Sequence, residues 1–286
     1  MKKALSLLMA LCCLWACNVD YLGYIYTRSA DVDTRFAQSM EYNAKAGFPS
    51  ISVADDNYRV YIVTDIHTTE KETANLDRFV ADYLADDTSA PFCINLGDIV
   101  NDKGQYGVFQ SHTAPLANAG KQIFSTPGNH DIFFGEWDEW ISLYHTSCYW
   151  FEVITPGRGK DLFLSLDSAG GTMGKAQAEW AEDFLNGVKG KYRHITVFTH
   201  THFWKRDNSQ DATGNYSLEE TYALASLFSR AGVEVVLAGH DHATETTLFK
   251  GVRYETLESL KMHDISPGYN IFGYGQDIKR TFVPVE

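Results

Sequence analysis

Apolar positions along the chain follow two rhythms, short β-branched runs and longer stretches with one oily side. The first clear run, Tyr58-Arg59-Val60-Tyr61-Ile62-Val63-Thr64, predicts a strand. From Glu72 to Leu84 the period changes, and Leu76, Phe79, Val80 and Leu84 share one face of a helix. The alternation continues through strand Phe92–Leu96, helix Tyr106–Ala119 and strand Gln122–Ser125. An aromatic segment, Phe133–Phe151, overlaps strand Tyr149–Ile154 and precedes strand Asp161–Asp167. Helix Lys175–Val188, strand His194–Thr199, helix Leu218–Ala231 and strand Val233–Ala238 complete the series. Thr244–Lys250 and Val252–Leu257 flank Gly251 and predict a hairpin. Strands interleaved with helices predict an α/β domain.

The flanks are less regular. Asp33–Asn43 predicts a helix with Phe36 and Met40 on one face, and Tyr21, Tyr24 and Tyr26 suit a short strand. Tyr269–Tyr274, rich in Gly and aromatics, reads as cover for the sheet or its edge. With no repeat and no long linker, residues 58–260 form one domain between an extension at 18–57 and another at 261–286 packed on the same domain. Residues 1–17 are not fold. Lys2-Lys3 and the apolar run from Ala4 to Leu11 predict a signal peptide too short to span as a mature helix. It ends Leu14-Trp15-Ala16-Cys17, which resembles a bacterial lipoprotein box, so the sequence predicts export and a lipid anchor through Cys17, facing the periplasm or cell exterior. Plain secretion with cleavage nearby is the alternative.

Composition narrows the function. The 286 residues, 44% hydrophobic and 21% charged, describe an ordinary globular protein. Its 24 Lys+Arg against 37 Asp+Glu give −13, and loss of Lys2 and Lys3 with the leader makes −15. That balance disfavours a nucleic-acid polymer, whose phosphates are held by Lys and Arg. Cys93, inside an apolar run, reads as a small buried hydrophobe; an oxidising compartment would permit a bond to Cys148.

Five loops carry the candidate chemistry, each starting where an apolar strand ends. They are Thr64-Asp65-Ile66-His67, Gly97-Asp98, Pro127-Gly128-Asn129-His130-Asp131, His200-Thr201-His202 and Gly239-His240-Asp241-His242. Ligands of α/β sheets bind outside the carboxyl ends of strands. Asp65 or Asp98 alone reads as a turn carboxylate, and His130 alone as a surface histidine. Together the set offers oxygen and nitrogen donors suited to Zn, Mn or Fe, in numbers sufficient for two ions. His112, His145, His194 and His263 show no partners in sequence and read as structural or solvated.

This order, Asp-x-His, Gly-Asp, Gly-Asn-His-Asp, His and Gly-His-x-His, resembles the calcineurin-like metallophosphoesterase family over Tyr58 to Leu260. The resemblance implies a four-layer α/β sandwich, two central mixed β-sheets flanked by helices. It implies two divalent or trivalent ions (Mn, Fe or Zn), with Asp65, His67 and His242 on the first and Asn129, His200 and His240 on the second. Asp98 would bridge them. His130 would touch phosphate or protonate the leaving oxygen, steadied by Asp131 or by Asn101 and Asp102, and Asn129 would also face substrate. Two positions depart from relatives. Asn101 stands where purple acid phosphatases carry an iron-binding tyrosine, so the wording is closer to the bacterial cyclic-nucleotide and glycerophosphodiesterase branch. His202 stands near a position often occupied by proline and reads as an exposed substrate contact.

The implied activity is hydrolysis of a small phosphomonoester or phosphodiester by a metal-bridging hydroxide. A metal-loaded scaffold without turnover, or a metal-dependent hydrolase of another bond, are the rivals. Phe133, Phe134 and Trp137 on one side, and His202, Phe203 and Trp204 on the other, are expected at the cleft rim, with Trp140, Ile141 and Tyr144 in the core.

Overall fold

Strands that are apolar on both faces need cover on both sides, and that demand builds the architecture. The computed structural model describes residues 31–86, 90–157, 159–207 and 210–285. The expected leader, Cys17 and the strand expected at Tyr21–Tyr26 lie outside the described residues. So does the Phe134 side chain.

Two mixed sheets form the centre. The larger follows the order β1 (Ser50–Ser52), β5 (Tyr149–Thr155), β6 (Gly159–Ser165), β7 (Ile195–Phe198), β8 (Val235–Ala238), β10 (Val252–Thr256) and β9 (Glu245–Phe249). The smaller follows β12 (Ile278–Pro284), β11 (Gly268–Tyr274), β2 (Tyr58–Val63), β3 (Phe92–Asn95) and β4 (Gln122–Ser125). Strands β2, β3 and β4 are mutually parallel, as are β6, β7, β8 and β10.

The period of two along each strand sorts side chains into separate cores. Tyr58, Val60 and Ile62 of β2 face between the sheets, where they meet Phe151, Phe163, Phe198 and Leu237. Tyr61 and Val63 face outward, onto α2 (Ala74–Ala85), α3 (Tyr106–Asn118) and α4 (Trp137–Tyr144). The outer face of the larger sheet is covered by α5 (Lys175–Val188) and α6 (Leu218–Ala231), with Val197 and Val236 supplied from beneath. These four layers are the architecture that the resemblance implied.

The flanking segments join this body. Helix α1 (Val32–Ala46) packs on α5, and its Phe36 tilts against Trp180. Arg35 anchors it: the buried guanidinium donates from Nε to Asp167 Oδ2 at 2.8 Å and from Nη2 to Oδ1 at 2.9 Å. At the other terminus, β11 does more than cover an edge. It pairs antiparallel with both β2 and β12, so residues 268–284 widen the smaller sheet.

Several expectations about packing need correction. Trp137 is not at a rim but 2% exposed, with its indole donating to Gln38 Oε1 at 2.7 Å, because α1 covers α4. Phe203 and Trp204 are buried beside Tyr216 and Phe249, so neither lines a cleft. Cys93 and Cys148 are free and belong to different cores, on opposite sides of the two sheets. His112 and His194 do have partners, Asp77 at 2.5 Å and Glu234 at 2.6 Å, and His145 stacks on Tyr42.

Candidate metal centre

The parallel strands end along one edge of the sandwich, and the five loops leave from there. Backbone bonds stitch them together: Asp65 N donates to Gly97 O at 2.9 Å, His67 N to Asp98 O at 3.0 Å, and Gly239 N to His200 O at 2.9 Å. Glycines in these motifs allow close approach. A Cβ on Gly128 would strike the Asp98 carboxylate, and one on Gly239 would strike Thr64 and Asp65. Asp65, His67, Asp98, His240 and His242 all have positive φ, between 48° and 73°. Five non-glycine residues in the left-handed region represent stored strain of order 1–3 kcal/mol each, a mark of functional sites.

The seven expected ligands do converge, in two sets. In the first, His242 Nε2 lies 3.3 Å from His67 Nε2 and 3.3 Å from Asp65 Oδ1. In the second, His200 Nε2 lies 3.1 Å from Asn129 Oδ1 and 3.2 Å from His240 Nδ1. Asp98 Oδ2 stands between them, 3.6 Å from His67 Nε2 and 3.5 Å from His200 Nε2. Four donors arranged tetrahedrally at about 2.1 Å from one ion sit about 3.4 Å from each other. These separations are therefore those of atoms sharing small cations. Buried Asp65 Oδ1 makes no other hydrogen bond, which adds a carboxylate oxygen needing a cation. The residues fit two metal ions.

Electrostatics agree. Burial pushes the His67 ring down to about 3, and burial with the neighbouring His200 pushes His240 down to about 4. Both rings thus keep a lone pair at neutral pH. Burial and the charge of Asp65 push Asp98 up to about 7. Burial opposes ionisation of Asp65 too, but the hydrogen bond from His242 and the charge of His200 hold its carboxyl below the usual range. Two buried carboxylates in mutual repulsion are relieved by positive charge placed between them.

Other expected residues take different places. His130 sits against His67, ring centroids 4.6 Å apart, and its Nδ1 donates to the Asn101 carbonyl at 2.9 Å, so the backbone of Asn101 steadies it. Its own backbone N–H holds Asp98 Oδ1 at 2.8 Å. Asp131, expected to steady the His130 ring, has its carboxylate hydrogen-bonded elsewhere, while Asn101 O takes that place. The buried Asp131 carboxylate accepts from Gly128 N at 2.8 Å, Tyr106 Oη at 2.9 Å and Ile99 N at 3.1 Å, bracing two of the loops. His202 is corrected as well: it is 8% exposed, not solvent-facing, with its ring 5.7 Å from that of His240.

Residues 58–244 match the sequence pattern of the calcineurin-like phosphoesterase family. The chain belongs to that family. Membership and the ligand groups found here support a metal-dependent hydrolase acting on phosphoester bonds. No curated protein matches the chain. Among solved structures, a dimetal phosphatase from Danio rerio is 13% identical, with a TM-score of 0.58 over 79% of this chain and 95% of that one. GAP50 of Plasmodium, described as an anchor in the inner membrane complex, is 13% identical at 0.61 over 80% and 84%. The purple acid phosphatase PPD1 from yellow lupin is 14% identical at 0.61, and this chain spans 52% of it. At such identity the likeness speaks for the fold alone.

Proposed function

We propose that the chain hydrolyses small phosphate mono- or diesters at two metal ions held by Asp65, His67, Asp98, Asn129, His200, His240 and His242. The observation that carries this is Asp98 Oδ2, nearly equidistant from a ring nitrogen of each ligand set. Ions bound there would lower the pKa of coordinated water toward neutrality and offset charge on phosphoryl oxygens.

The protein's own groups do the rest. Asp98 is fixed by the His130 backbone, so its other oxygen is presented to both sets in one orientation. A non-ligand imidazole stands beside each set, His130 by His67 and His202 by His240, suited to contact an ester from both sides. With His130 Nδ1–H engaged by Asn101 O, Nε2 is the nitrogen left to face the ester, contacting phosphate or, from the imidazolium form, passing its proton to the leaving oxygen. Tyr106, the first tyrosine after the Gly-Asp motif, gives its hydroxyl to Asp131, consistent with a centre lacking a tyrosinate ligand. The formal charge of −13 favours substrates of low charge.

The test is hydrolysis of p-nitrophenyl phosphate and bis-p-nitrophenyl phosphate with added Mn²⁺, on protein whose metal content is measured in parallel. At least one substrate should turn over, chelator should stop it, and fresh Mn²⁺ should restore it. Two bound ions with neither activity would favour the scaffold reading.

A further inference from the structure

We propose that Asp264, carried on a sixth strand end, is a positioning residue that aims His242 at the first metal position; this rests on the dinuclear reading above. Strand β10 runs parallel to β8, so the chain leaving Thr256 emerges at the same edge as the five loops. Leu260 N then donates to Thr64 O at 2.9 Å, tying this segment to the residue before Asp65. Asn75 Nδ2 donates to Leu260 O at 3.0 Å and fixes its other side. From that anchored turn, Asp264 Oδ2 accepts from His242 Nδ1 at 2.8 Å and also from Ser259 Oγ.

The consequence is chemical. In its neutral form, an imidazole that donates from Nδ1 presents its lone pair at Nε2. His242 Nε2 is the atom that lies 3.3 Å from both Asp65 Oδ1 and His67 Nε2. A carboxylate partner also makes the ring a stronger donor than a neutral acceptor does. The ligand rings differ here. Within the first set buried His67 Nδ1 has no hydrogen-bond partner, and in the second set His200 Nδ1 meets the neutral Leu96 carbonyl at 2.9 Å. Asp264 therefore strengthens the first position and leaves the second alone. It lies beyond residues 58–244, outside the span matched by the family pattern.

Calorimetric titration of chelator-stripped protein with Mn²⁺ tests this. The unaltered chain should bind two ions. Asp264→Ala should weaken one by about 10–100-fold and leave the other unchanged. Asp264→Asn, which keeps an acceptor of the same shape, should give a smaller loss in the same ion and covers the case of an alanine variant that fails to fold. His263→Ala, whose side chain is 76% exposed, should change neither. Two unchanged affinities in the Asp264 variants, or an equal loss in both ions, would overturn the proposal. Fewer than two ions in the unaltered chain would instead remove the dinuclear reading beneath it.

Discussion

Asp98→Ala is expected to empty or scramble both metal positions and to reduce phosphoester hydrolysis to background. Among the described residues, Asp98 Oδ2 is the carboxylate oxygen that lies within 3.6 Å of a ring nitrogen in each set, so no neighbouring carboxylate replaces it in both. Loss of a side chain serving one position only, such as Asn129, would spare the other. The same substitution should not harm the fold in chelator. Asp98 is buried and pushed up to about 7 by that burial and by Asp65, so its removal relieves repulsion in the pocket. Metal content should therefore fall below one ion per chain while the melting temperature in chelator holds or rises. A variant retaining two ions would show that Asp98 does not bridge.

His130→Ala is expected to do the reverse, keeping metal content near normal and lowering kcat by about 10²–10⁴. Its ring is anchored by the Asn101 carbonyl through Nδ1 and stands at the edge of the first set without being required to complete it. A competing ligand set exists, since atoms of His67, Asp98 and His130 lie within 4.8 Å of one another. Elemental analysis decides between the two. Loss of an ion along with activity would make His130 a ligand, and normal content with reduced kcat makes it the proton-transfer or phosphate-contacting group.

Much of this arrangement is legible in the sequence because strand ends leave a local trace. A β-branched run followed by Asp-x-His or Gly-His-x-His marks both the strand and the loop, and the structure puts each where the pattern does. What sequence missed is decided by partners distant along the chain. Trp137 has the spacing of either a core or a rim residue, and only the covering helix α1, through Gln38, decides. Asp131 follows His130 directly and invites a catalytic pairing, but the backbone N–H groups of Gly128 and Ile99 capture its carboxylate. Asp264 was hidden by a hairpin. Taking β9 and β10 as a two-strand unit conceals that β10 also pairs parallel to β8 and so delivers a sixth loop to the site. The only trace of it in the sequence is an acidic residue in the loop beyond that strand.

In the proposed centre, two cations share Asp98 between the two ligand sets. Crystals grown with Mn²⁺ and measured near its absorption edge test this most directly. Two anomalous peaks are expected about 3.5–4 Å apart, one among Asp65, His67 and His242, the other among Asn129, His200 and His240, with Asp98 bonded to both. A single peak, or two peaks with Asp98 bonded to only one, would contradict that sharing.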